Sequence, residues 1–163
     1  MTGRPTRGDL ARNIAFVIVV PCVVGGLLPW FITRYQGHDV ATIVRVIAWL
    51  FIAEGVGVLL YGVWHFAAEG RGTPAPIAPT RQLVVSGPYR FIRNPMYVAV
   101  GAVILGQALL FPSAAIFVYL LAFAVVVVVF VKLYEEPTLS RTFGEEYAAY
   151  RASVPGWFPR RPR

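Results

Sequence analysis

The sequence predicts an all-α integral membrane protein: four transmembrane helices, the last two paired as a helical hairpin, followed by a cytoplasmic amphipathic C-terminal helix. Three observations predict it. Apolar residues make up 57% of the 163-residue chain and charged residues 14%, against roughly 45–50% and about 25% in soluble domains. A chain this short cannot hide that excess in a core, because a small domain leaves much of its surface in water. The apolar residues are also gathered into four runs, and thirteen of the 15 lysines and arginines fall on one side of them. The length suits one domain over residues 1–163. Disordered, disulfide-rich secreted and ordinary soluble architectures are excluded by the same composition.

The first run spans about residues 14–32. Arginines precede it as in a signal peptide, but it runs on too far and no small-residue cleavage site follows. The second covers about 43–66, the third about 97–111 and the fourth about 114–133. Crossing a hydrocarbon core of ~30 Å takes ~20 helical residues. The third run is short, and only Phe111-Pro112-Ser113 separates it from the fourth, so these two read as the hairpin. Five valines at 125–129 would favour a strand in water. In lipid a lone strand leaves its backbone groups unsatisfied, so a helix is predicted.

Charge sets the orientation. Arg4, Arg7 and Arg12 precede the first run, Arg71, Arg81, Arg90 and Arg93 lie between the second and third, and six basic residues follow from Lys132 onward. Only Arg34 and Arg45 fall on the other side. The positive-inside rule then puts both termini and the long second loop in the cytoplasm. The net charge of +7 is read as contact with anionic headgroups of the bilayer, not with nucleic acid.

The second loop, from Gly70 to Arg93, is too rich in Gly and Pro for a helix. Within it, Leu83-Val84-Val85 and Ser86-Gly87-Pro88 predict a short extended piece and a turn. Beyond the fourth run, Leu139, Phe143, Tyr147, Tyr150 and Val154 recur three or four residues apart. They draw the apolar stripe of an amphipathic helix, with Thr138 as its expected cap and Val154-Pro155-Gly156 as its end.

Motifs of soluble enzymes are missing: there is no P-loop and no dinucleotide fingerprint. His38 and His65 stand alone and Cys22 is the one cysteine, so no metal site or internal disulfide is expected. The chemistry-bearing residues gather at the two hairpin ends: Gly87-Pro88-Tyr89-Arg90-Phe91-Ile92-Arg93-Asn94-Pro95-Met96-Tyr97 before it, and Lys132-Leu133-Tyr134-Glu135-Glu136 after it. A tight hairpin returns both to one membrane face. From the residues alone they form either an interfacial belt or a binding site. Glu54, midway along the second run, is costly in lipid and is expected to face the bundle interior. It is either a substrate-side group or an interhelical hydrogen-bonding partner, for instance to Tyr61.

The passage GPYRFIRNPMY, the hairpin, and then EEPTLSRTFGEEYAAYRASVP with a short basic tail resemble the membrane methyltransferases grouped around isoprenylcysteine carboxyl methyltransferase and the phospholipid N-methyltransferases. The resemblance covers roughly residues 70–160 and implies methyl transfer from S-adenosylmethionine to a membrane-soluble lipid or lipid-like acceptor. It implies a cytoplasmic cofactor pocket built from about 70–97 and 132–160 under the C-terminal helix. By position, the cofactor contacts it implies are Arg81, Gln82, Leu83, Val84, Tyr89, Asn94, Pro95, Met96, Tyr97 and Glu135. A carboxylate suits an ammonium, aromatic faces suit a sulfonium, and extended backbone suits adenine. No residue is implied as general base.

Three positions depart from the family pattern. Arg93-Asn94-Pro95 stands where Arg-His-Pro is usual, and Tyr97-Val98-Ala99 where Tyr-x-Gly is usual. Val131 occupies the place of an arginine that serves the substrate carboxylate in isoprenylcysteine enzymes, which argues against carboxyl O-methylation. Two other classes share features with this chain: a small proton-coupled multidrug exporter, through its one intramembrane acid, and a nicotinamide-dependent membrane reductase of related hairpin architecture. The first needs neither the long polar loop nor the aromatic C-terminal helix, and the second is distinguished by its ligand.

Overall fold

The computed structural model describes residues 19–36, 38–69 and 83–158. The beginning of the first apolar run, loop positions 70–82 with Arg81 and Gln82, and the tail from 159 lie outside the described residues. Regular structure among the described residues is helical throughout. We label the helices α1 (Val19–Thr33), α2 (Thr42–Glu69), α3 (Pro95–Leu110), α4 (Ala114–Phe130) and α5 (Glu136–Ser153). Two stretches, Thr42–Gly62 and Ala114–Ser153, are long and apolar enough to cross a membrane, and α1 and α3 are apolar but shorter. Their outward faces carry Leu50, Leu60, Val118, Leu121 and Val126, each more than 60% exposed. Such a surface suits lipid, not water.

The tightest packing joins α2 to α3. Ala48, Gly55 and Gly62 recur every seven residues on α2, facing Met96, Ala99, Val103 and Gly106 on an antiparallel α3. A Cβ on Gly55 would stand 2.6 Å from the Ala99 carbonyl oxygen, and one on Gly106 2.6 Å from that of Ala48. Small residues let membrane helices approach this closely, and dispersion contacts rather than the hydrophobic effect then hold them. This face also fixes Glu54, which the sequence placed toward the interior. Glu54 is exposed, because Gly55 takes the α3 side and its neighbour is turned about 100° away. Behind α3, the core of Val100, Ile104, Ala108 and Ile116 collects Val24 and Ile32 from α1 and Tyr119 and Phe123 from α4.

Two wide π turns interrupt the helices, and each ends two residues before a proline. Val23–Leu27 precedes Pro29 in α1, and Val131–Glu135 precedes Pro137 at the start of α5. Proline donates no hydrogen bond and its ring crowds the carbonyl four residues back. In α1 that carbonyl belongs to Gly25, and the buried Gln107 amide donates to it at 2.6 Å. The next carbonyl, of Val24, accepts the Tyr119 hydroxyl at 2.7 Å. Orphaned backbone groups are thus satisfied from α3 and α4, as a buried carbonyl requires.

The hairpin is as expected, with the Ser113 side chain accepting the Ile116 N–H at the start of α4. The C-terminal helix differs from expectation. Thr138 does not cap it: the chain continues from α4 through the second π turn without a break, and Thr138 lies inside, donating to the Tyr134 carbonyl at 2.6 Å. The interruption comes instead at Gly144, whose φ of 51° and ψ of −120° are non-helical. Glycine adopts this backbone readily and other residues do not.

Candidate functional site

The two hairpin ends meet. The Tyr97 hydroxyl, one turn into α3, donates to Glu135 Oε2 at 2.9 Å. Pro95 at the start of α3 has its φ preset for a first turn, where its missing N–H costs nothing. The second π turn ends at Glu135, and such turns are frequent at functional sites. Burial raises the Glu135 carboxyl above the usual carboxylate range; the Tyr97 hydrogen bond works against this and the neighbouring Glu136 adds to it. Tyr89 stands in the same group. Burial raises its phenol, the Glu135 charge raises it further, and Tyr150 adds a smaller push.

A second layer packs against Tyr89. Leu83, Tyr147 and Tyr150 form a buried cluster with Leu139, Phe143 and Val154 around it, so the stripe seen in the sequence is the face that α5 turns inward. The Tyr150 hydroxyl donates to the Tyr89 carbonyl at 2.7 Å. Asn94 is buried and gives both its backbone N–H and its side-chain amide to the Gly156 carbonyl, at 3.2 and 3.0 Å.

Of the expected contacts, Tyr89, Asn94, Pro95, Tyr97, Leu83 and Glu135 therefore come together around the hairpin ends. Val84 follows Leu83 and is part-buried. Met96 sits on the α2 side, packed on Gly62. Glu54 is not brought to this group: it lies eight residues along α2 from Gly62, about 12 Å of helix, on the exposed face.

Sequence reasoning gave no role to Arg93 or Glu136, which the structure joins to each other, with Glu136 next in sequence to Glu135. Arg93 Nη1 donates to Glu136 Oε1 at 2.7 Å and to the Tyr147 hydroxyl at 3.0 Å, and its Nε donates to the Val154 carbonyl at 3.1 Å. The available signal was an arginine at the mouth of a helix with a Glu-Glu pair at the far end of the hairpin. Among the described residues no group of histidine, cysteine and acidic side chains could hold a metal ion.

The family model described as phospholipid methyltransferase matches residues 43–146, from the start of α2 to just past the Gly144 interruption. No curated protein gives a significant match.

Proposed function

Because the chain belongs to the phospholipid methyltransferase family, we propose that it is a four-span enzyme that uses S-adenosylmethionine to methylate a lipid or lipid-like acceptor at the cytoplasmic face. The observation that carries this reading is the Tyr97–Glu135 contact, which joins both hairpin ends inside the matched residues. Thirteen of 15 basic residues on the side of that contact support cytoplasmic termini.

The residues present fit the cofactor. Glu135 is a sheltered anion for an ammonium group, with the rings of Tyr89 and Tyr97 beside it for a cation. Asn94 commits one amide hydrogen to Gly156 and keeps the other for a carboxylate. Leu83 and Val84 would offer backbone groups to adenine, with Arg81 and Gln82 preceding them; Pro95 would complete the wall, and Met96 would support it from the α2 side. When bound, S-adenosylmethionine supplies an already activated methyl group on a positively charged sulfur. The chain's own task is to hold, align and exclude water, which contributes several kcal/mol when reacting atoms are held in place. No side chain is assigned as general base.

The acceptor we favour is an amine-bearing or neutral lipid. Val131 stands where the isoprenylcysteine enzymes carry an arginine for the substrate carboxylate, and a valine offers no cation, so such a carboxylate would leave water unpaired at that position, at a cost of several kcal/mol. Carboxyl O-methylation of an isoprenylcysteine is correspondingly disfavoured. Titration calorimetry on the purified protein tests the reading: S-adenosylmethionine or its demethylated product should bind and NADPH should not. Binding of NADPH alone would contradict it.

A further inference from the structure

We propose that Arg93 is a positioning residue for methyl transfer: with Glu136 it forms a clasp that keeps Glu135 opposite Tyr97. The proposal rests on the reading of Glu135 as a cofactor contact. Two rungs cross between the hairpin ends. One joins Arg93 to Glu136 at 2.7 Å, the other Tyr97 to Glu135 at 2.9 Å. Arg93 and Tyr97 are four residues apart at the mouth of α3, whereas Glu135 and Glu136 are adjacent. The grip on Glu136 therefore sets the backbone that aims Glu135. The Glu136 N–H also closes the π turn on the Val131 carbonyl, so a displaced Glu136 re-aims the turn that ends at Glu135.

The same guanidinium holds the covering segment. Its Nε donates to the Val154 carbonyl at 3.1 Å, while the Arg93 backbone N–H donates to Pro155 at 2.9 Å. At Gly156 a Cβ would stand 3.3 Å from Arg93 Nη2, so glycine there lets the strand of chain lie close. The pair is sheltered, with the two side chains 13% and 15% exposed. Arg151 reaches Glu136 only at 3.6 Å and is 56% exposed, so it does not replace Arg93. Lysine would replace it only in part: an ammonium is a point charge that can pair with Glu136, whereas the guanidinium fork serves Glu136 and Val154 at once.

The test uses Arg93→Gln, Arg93→Lys, Glu136→Gln and the double variant Arg93→Gln/Glu136→Gln, purified in detergent, with kinetics measured on the monodisperse fraction. Both single Gln variants should raise KM for S-adenosylmethionine by about tenfold or more, with a much smaller change in kcat at saturation. Arg93→Lys should recover part of the loss. The double variant should be no worse than the poorer single one, since both remove one interaction. A purely structural role would lower the melting temperature and leave KM of the folded fraction at the wild-type value. That result, in both single Gln variants, overturns the proposal. If Arg93→Gln does not fold, Glu136→Gln decides alone. A wild-type protein that binds no S-adenosylmethionine overturns the function reading itself, which is a separate outcome.

Discussion

Glu135 is held by opposed influences, with burial and the neighbouring Glu136 on one side and Tyr97 on the other. Burial disfavours its charge, and the Tyr97 hydroxyl at 2.9 Å favours it. The carboxyl must be ionised to hold an ammonium, and its pKa lies above the ordinary carboxylate value. Affinity for S-adenosylmethionine should therefore climb as pH rises through that raised pKa and level off once the group is ionised. Calorimetry across a pH series checks this, and Glu135→Gln should flatten the curve. At neutral pH the same substitution should weaken binding roughly tenfold to a hundredfold, the loss of one charge-assisted contact worth about 1.5–3 kcal/mol. Tyr97→Phe should weaken binding in the same direction, with the protein still folded. Asn94 stands where the family pattern usually has histidine, so no imidazole titration should overlay the profile at that position.

Helices owe their geometry here to single residues that interrupt or permit packing. Gln107 satisfies the carbonyl that Pro29 orphans. Gln107→Leu should destabilise the protein by about 1–3 kcal/mol, the cost of an unsatisfied buried polar group, read as a lower melting temperature in detergent. Gly144→Ala places a side chain on a backbone with φ of 51°. It should cost roughly 1–3 kcal/mol and loosen the part of α5 that carries Tyr147 and Tyr150. Limited proteolysis should show faster cleavage there, and unchanged cleavage would count against Gly144 as the point that sets the bend. The apolar stripe was legible because Leu139, Phe143, Tyr147, Tyr150 and Val154 recur three or four residues apart and collect in one cluster. The interruption was not, because apolar periodicity passes through Gly144 unchanged. The π turns escaped for a similar reason: Pro29 and Pro137 signal a disturbance, but only the packed partners decide whether it becomes a kink, an end or a wide turn.

Across the whole molecule, the sequence's apolar runs and the hairpin led directly to the meeting of Tyr97 and Glu135, since a tight turn leaves its two ends little choice. Glu54 was misread because composition marks an acid as costly in lipid without saying which face of α2 the small residues claim. Topology is the prediction at this scale. Single cysteines replacing His38, in the loop between α1 and α2, and Phe158, which is 83% exposed after α5, should react from opposite sides of intact cells in a Cys22→Ser background. Labelling of both from outside would sink the four-span arrangement. The most direct measurement of the central claim is to incubate membranes containing the protein with methyl-labelled S-adenosylmethionine and chromatograph the lipid extract. Label should appear in an amine-bearing or neutral lipid and fall at least tenfold with Glu135→Gln. No transfer to lipid, or transfer that Glu135→Gln leaves unchanged, would contradict the account.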